Sequence, residues 1–108
     1  MKEINIGAAQ FENKNGDKKY NLERIRSLTE AAVSKGADIV SFHEGSITGY
    51  TYIRHLDRKQ LLDMAENVPG GQSVEKLTDI SSEFGVPVLA GLIEKDEKNN
   101  LYNYLYMR

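Results

Sequence analysis

The chain has 108 residues, enough for one small domain. Its formal net charge is −2, with acids and bases interspersed, which excludes the basic stripe that a phosphate-backbone binder needs. It contains no cysteine, which excludes disulfides, cysteine-rich zinc sites and a thiol nucleophile drawn from these residues. No apolar run approaches the roughly 20 residues of a membrane span, and no apolar core of a signal peptide follows Met1. A cytoplasmic protein with no membrane and no nucleic-acid partner is the expectation.

Ile4 to Phe11 predicts a first strand whose apolar and small residues suit burial on both faces. Glu12 to Asp17 is polar and carries the Asn15-Gly16 turn signal. Asp17 is suited to accept a hydrogen bond from a free N–H of the following helix. Leu22, Ile25, Leu28, Ala32 and Val33 recur at mostly three- and four-residue steps, one face of an amphipathic helix. Gly36 ends it, since glycine takes the left-handed cap conformation at no steric cost.

Asp38 to Phe42 predicts a second strand, parallel to the first through a right-handed crossover. A helix is predicted over 57–67, stopped by Pro69-Gly70-Gly71, and another begins with Ser73 as its cap. The latter buries Val74, Leu77, Ile80 and Phe84 and ends at Gly85. Val86 to Ile93 is a third strand, with Pro87 near its start where a missing N–H is tolerated. Leu101 to Tyr106 is a fourth, forming an antiparallel hairpin with the third. Its alternation puts Tyr102, Tyr104 and Tyr106 on one side. The predicted order is β-α-β-α-α-β-β. Helices on one side leave the second sheet face uncovered, so residues 1–108 are expected to be part of a larger domain or of a homo-oligomer. A flavodoxin-type parallel domain is disfavoured by the terminal hairpin.

The chemistry is expected at Gly36-Ala-Asp-Ile-Val-Ser-Phe-His-Glu-Gly-Ser-Ile-Thr-Gly-Tyr50. Ligands of open α/β sheets bind beyond the carboxyl ends of strands, and Glu44 stands there. A carboxylate so placed is a candidate general base. Gly45 and Gly49 flank the turn that follows. His43 and His55 lack metal-ligand spacing, so no metal site is expected. Pro69-Gly70-Gly71 lacks the Lys-Ser/Thr of a phosphate-binding loop.

The ordered set Ile6–Phe11, Asn21, Lys35–Glu44, Thr48-Gly49-Tyr50, Val68–Gly71, Gly85–Leu92 and Leu101–Asn103 resembles the N-terminal part of the nitrilase superfamily, the carbon–nitrogen hydrolases. The resemblance covers essentially the whole chain. It implies a four-layer α-β-β-α sandwich and cleavage of a non-peptide C–N bond in a small amide, carbamoyl compound or nitrile. It also implies no cofactor and assembly into dimers or larger oligomers.

Family members use a glutamate base, a lysine that stabilises the oxyanion, and a cysteine nucleophile that forms a thioester. Glu44 matches the glutamate; Tyr50, in the turn that follows, is a candidate substrate-pocket residue with core packing as the equal alternative. Lys95 and Lys98 match no catalytic lysine, so these residues alone are expected to be inactive. His43 departs from the proline common before the acid and is expected to pack. The alternative reading is a non-catalytic α/β module used for self-association or partner binding.

Overall fold

The computed structural model describes residues 3–68 and 70–107, with the side chains of 50, 51 and 103–107 outside that description. The elements are β1 (Ile6–Ala9), α1 (Lys18–Ser34), β2 (Ile39–Phe42), α2 (Tyr50–Ile53), α3 (Arg58–Met64), α4 (Gln72–Phe84), β3 (Val88–Lys95) and β4 (Leu101–Met107). They form one sheet in the order β1-β2-β3-β4. β1–β2 and β2–β3 are parallel, and β3–β4 is the expected antiparallel hairpin. Tyr102, Tyr104 and Tyr106 fall opposite Glu94, Leu92 and Ala90 in its register. The side chains of Tyr104 and Tyr106 lie outside the described residues.

Helix starts and stops follow from local chemistry. The Asp17 carboxylate accepts from the Tyr20 N–H at 3.0 Å and starts α1. Gly36, at φ 92°, turns the chain away from its end. Asp57 and Gln60 exchange hydrogen bonds in a capping box at the start of α3. Gly85, at φ 67°, closes α4.

α1 and α4 pack together over one sheet face. Ile25 and Leu77 from these helices meet Val40, Phe42, Val88, Ala90 and Leu92 from the strands. Burying each large aliphatic side chain there contributes roughly 1.5–3 kcal/mol. Gly7 admits α1 closely, since a Cβ on it would stand 3.2 Å from that of Ala32.

Four expectations need correction. β1 is not buried on both faces: it is an edge strand, and Ile4 and Ile6 are 62% and 66% exposed on the side without helices. The four-residue α2, too short to show a period, makes the order β-α-β-α-α-α-β-β. α3 ends at Met64, before Pro69, a residue outside those described. Ala65 leaves it in extended conformation because Glu66 pairs with β3: its N–H donates to Ile93 O (2.8 Å) and its carbonyl accepts from Lys95 N–H (2.9 Å).

Ser73 does not cap α4 either. The N-cap is Gly71, and the Ser73 N–H donates at 2.6 Å to Glu66 Oε1. The carboxylate therefore serves as the cap from seven residues upstream, where the helix dipole favours negative charge. Glu66 Oε2 also receives Lys18 Nζ at 2.8 Å, and Lys18 donates to Met64 O as well. Gly71 is required, because a Cβ there would lie 2.5 Å from Glu66 Oε1.

Burial pushes the Glu66 carboxyl up, but hydrogen bonds from Lys18 and Ser73 and the Lys18 charge outweigh it and hold its pKa below the usual 4.5. The folded carboxyl is thus more acidic than the unfolded one. Its stabilisation is full above about pH 4.5 and is lost as pH falls through the folded pKa. Glu66→Gln keeps an acceptor for Ser73 but takes the Lys18 ammonium's counter-charge, leaving it the Met64 carbonyl. Urea unfolding at about pH 7 is expected to show a loss of roughly 1–3 kcal/mol, with a shallower fall in stability below about pH 4.5. An unchanged midpoint and acid slope would contradict the assignment.

Candidate active site

The parallel strands β1, β2 and β3 direct their carboxyl ends toward one edge of the molecule. β2 stops at Phe42 while β3 runs on to Lys95, so β3 carries a free hydrogen-bonding edge beyond their last pairing, Ser41 with Leu89. The turn after β2 docks on that edge. Ile47 N–H donates to Gly91 O at 3.3 Å, and Gly91 N–H donates to Ser46 Oγ at 3.2 Å. Glu44 heads this turn.

The turn is a buried platform bearing an exposed acid. Gly45, Ser46, Ile47, Thr48 and Gly49 are all buried, whereas Glu44 is exposed. Ile47 enters the hydrophobic core. Gly45 (φ 65°) and Gly49 (φ 96°) occupy left-handed conformations that make the reversal possible. The Gly49 N–H closes it on Gly45 O at 2.8 Å.

Three further anchors come from the β1–α1 segment. Asn21, fully buried, donates through Nδ2 to Ile47 O at 2.7 Å and to Lys14 O at 2.9 Å, and its Oδ1 accepts from the Lys14 N–H. The Gly16 N–H donates to Thr48 O at 2.9 Å. Asn13 Nδ2 donates to Ser46 O. The carbonyls of Ser46, Ile47 and Thr48 are thus satisfied in succession. Fixing a buried turn this way avoids the cost of about 1–3 kcal/mol for each stranded polar group.

His43 is half-buried. Its ring packs edge-on against Phe11 (centroids 5.1 Å apart), in line with the packing expectation, and Nε2 lies 2.6 Å from Asn13 Oδ1. Burial lowers its pKa below the usual 6.5, which favours the neutral imidazole. Among the described residues, His43 Nδ1 and Thr48 Oγ1 are buried without a hydrogen-bond partner. An open cleft of about 550 Å³ lies at the ends of β1 and β2, lined by Gln10, Phe11, Glu12, Asn13, Asn15, His43 and Gly49. His55 is exposed, and Tyr50 begins α2 with its side chain outside the described residues.

Sequence reasoning placed Glu44 and the flanking glycines but missed Asn13, Gly91 and Glu66 and gave Asn21 no role. Only Asn21 left a signal: it lies four residues before Ile25 on the buried stripe of α1, where a polar side chain must find partners. Among the described residues no group of three or more His, Asp or Glu side chains is gathered in a metal-binding arrangement.

The carbon-nitrogen hydrolase family model matches residues 5–107, and the chain belongs to that family. It is 35% identical over 88 residues to the omega-amidase of Mus musculus, matching 80% of this chain and 29% of that protein. It is 32% identical over 83 residues to a nitrilase of Pyrococcus abyssi, matching 77% of this chain and 30% of that protein. The chain therefore spans less than a third of these relatives' length. Its fold matches a solved N-terminal amidase with a TM-score of 0.79 at 24% identity, over 96% of this chain and 24% of that one. An amidase from Nesterenkonia sp. AN1 gives a TM-score of 0.79 at 15% identity, over 97% and 39%.

Gly91 tests how the platform is held. A Cβ at that position would stand 2.6 Å from the Gly45 nitrogen and 3.4 Å from Glu44 Cα, both backbone atoms. Gly91→Ala is expected to push the Glu44 turn off β3 and to cost roughly 1–3 kcal/mol. Amide NMR shifts concentrated at Gly45 to Thr48, with a lowered denaturation midpoint, are the expected result. An unperturbed turn would show that the close approach is not required.

Proposed function

We propose that residues 1–108 form the amino-terminal portion of a carbon–nitrogen hydrolase domain that cleaves the amide bond of a small carboxamide, with Glu44 as its general base. The observation that carries this reading is an exposed carboxylate at the carboxyl end of β2, mounted on a turn buried from Gly45 to Gly49. The omega-amidase likeness favours an amide over a nitrile or carbamoyl compound.

In this reading the Glu44 carboxylate accepts the proton of a thiol, and the thiolate attacks the amide carbon. A cation stabilises the oxyanion while the protonated Glu44 carboxyl returns its proton to the departing nitrogen, which leaves as ammonia. Water, giving a proton to Glu44, then cleaves the thioester, and that proton returns to the sulfur to restore the thiol. The thiol is not among these 108 residues, which contain no cysteine. This chain contributes the proton acceptor and the frame that aims it. The nucleophile comes from residues outside it.

Two assays test the proposal together. The 108-residue chain alone is expected to release no ammonia from small carboxamides. A polypeptide spanning the whole family domain is expected to release it, and Glu44→Gln is expected to lower kcat by about 10²–10⁴-fold, the range for a lost general base. Turnover by the short chain, or full activity in E44Q, would overturn the assignment.

A further inference from the structure

We propose that His43 is a positioning residue for Glu44, acting through Asn13 in a relay that locks the turn from the side away from β3. The inference rests on reading Glu44 as the working carboxylate. The relay follows from donor and acceptor chemistry. Ser46 O can only accept, so the Asn13 amide turns its Nδ2 group toward it. That orientation leaves Asn13 Oδ1, an acceptor, facing His43 Nε2 at 2.6 Å. His43 must therefore carry its proton on Nε2.

The ring is held in that pose by Phe11, which in turn packs edge-on against Phe42, the last residue of β2. The path runs from the core through Phe42 and Phe11 to His43, Asn13 and the Ser46 carbonyl. His43 and Ser46 bracket Glu44 and Gly45 in sequence, so the relay closes a loop around the acid. Gly45, with φ 65°, has no side chain to stiffen the turn by itself. Protonation at Nδ1 would bury an N–H with no acceptor among the described residues, so the neutral Nε2–H form is the one that fits.

The test separates this role from general stability and from catalysis. Imidazole nitrogen NMR of the protein at about pH 7 is expected to show His43 as the Nε2–H tautomer, and the Nδ1–H tautomer would overturn the relay. Amide exchange at Ile47 and Gly49 is expected to speed up about tenfold in His43→Ala and Asn13→Ala, the weight of one buried hydrogen bond, while β3–β4 amides keep their protection. His43→Gln, whose amide nitrogen replaces Nε2, is expected to restore protection at both. Uniform loss across the molecule, unchanged exchange in H43A, or no rescue in H43Q would each overturn the proposal. None of these readouts uses turnover, so failure of E44Q to impair hydrolysis would sink the reading of Glu44 and leave the relay measured.

Discussion

The free edge of β3 organises this molecule. Along it, from Leu89 to Lys95, three separate segments dock in sequence order: β2 itself, the turn that carries Glu44, and the extended residue Glu66. Backbone groups on a strand edge recur at every second residue. Gly91, Ile93 and Lys95 therefore present successive positions to the incoming chain, and each is used. A parallel strand that ended flush with β2 would leave the Glu44 turn held from the β1–α1 side alone. Because β3 outruns β2, the turn inherits the rigidity of a sheet without being part of one.

This arrangement explains where polar groups are buried. Buried turns are rare because their backbone groups lose water. Here the cost is met by side chains of unusual placement: Asn21 in the first turn of α1 on its buried stripe, Asn13 beyond β1, and Ser46 reaching across to β3. Glu66 solves the same problem at the next station, closing the N-terminus of α4 and binding Lys18 of α1. Two helices meet on that one carboxylate, and the backbone of the same residue pairs with β3. By contrast, the Arg26–Glu83 pair joins α1 and α4 in solvent, where ion pairs contribute little.

Most of the fold was legible in the sequence where a residue's role is local. Asp17, Gly36 and Gly85 mark helix ends by their own backbone or side-chain chemistry, and Val74, Leu77 and Ile80 announce a buried face by spacing alone. Glu44 was legible as a position, since an acid directly after a parallel strand needs only the order of elements to be placed. The illegible features are long-range. Nothing near Ser73 indicates that its N–H is taken by Glu66, and the capping serine is the simpler local guess. Nothing in Ile4 to Phe11 tells an edge strand from a central one, because residues buried on both faces and residues left bare on one can share a composition. The need for Gly91 lies in a turn forty-odd residues earlier in the chain.

A general base must be held within hydrogen-bond reach of the proton it takes, and the holding costs free energy that chemistry cannot supply at the moment of reaction. In this chain every described anchor of the Glu44 turn, from Asn13, Gly16 and Asn21 on one side to Gly91 on the other, comes from residues 13–91. The position of the turn is thus set by the packing of one sheet and one helix. The sheet face opposite the helices carries Ile4 and Ile6 largely bare, so the two halves of the surface differ in kind. The Glu44 turn is buried and bears an exposed acid, whereas that face leaves two aliphatic side chains exposed. A carboxylate mounted on such a turn has its position fixed by folding, which is what the proposed role of Glu44 as a general base requires.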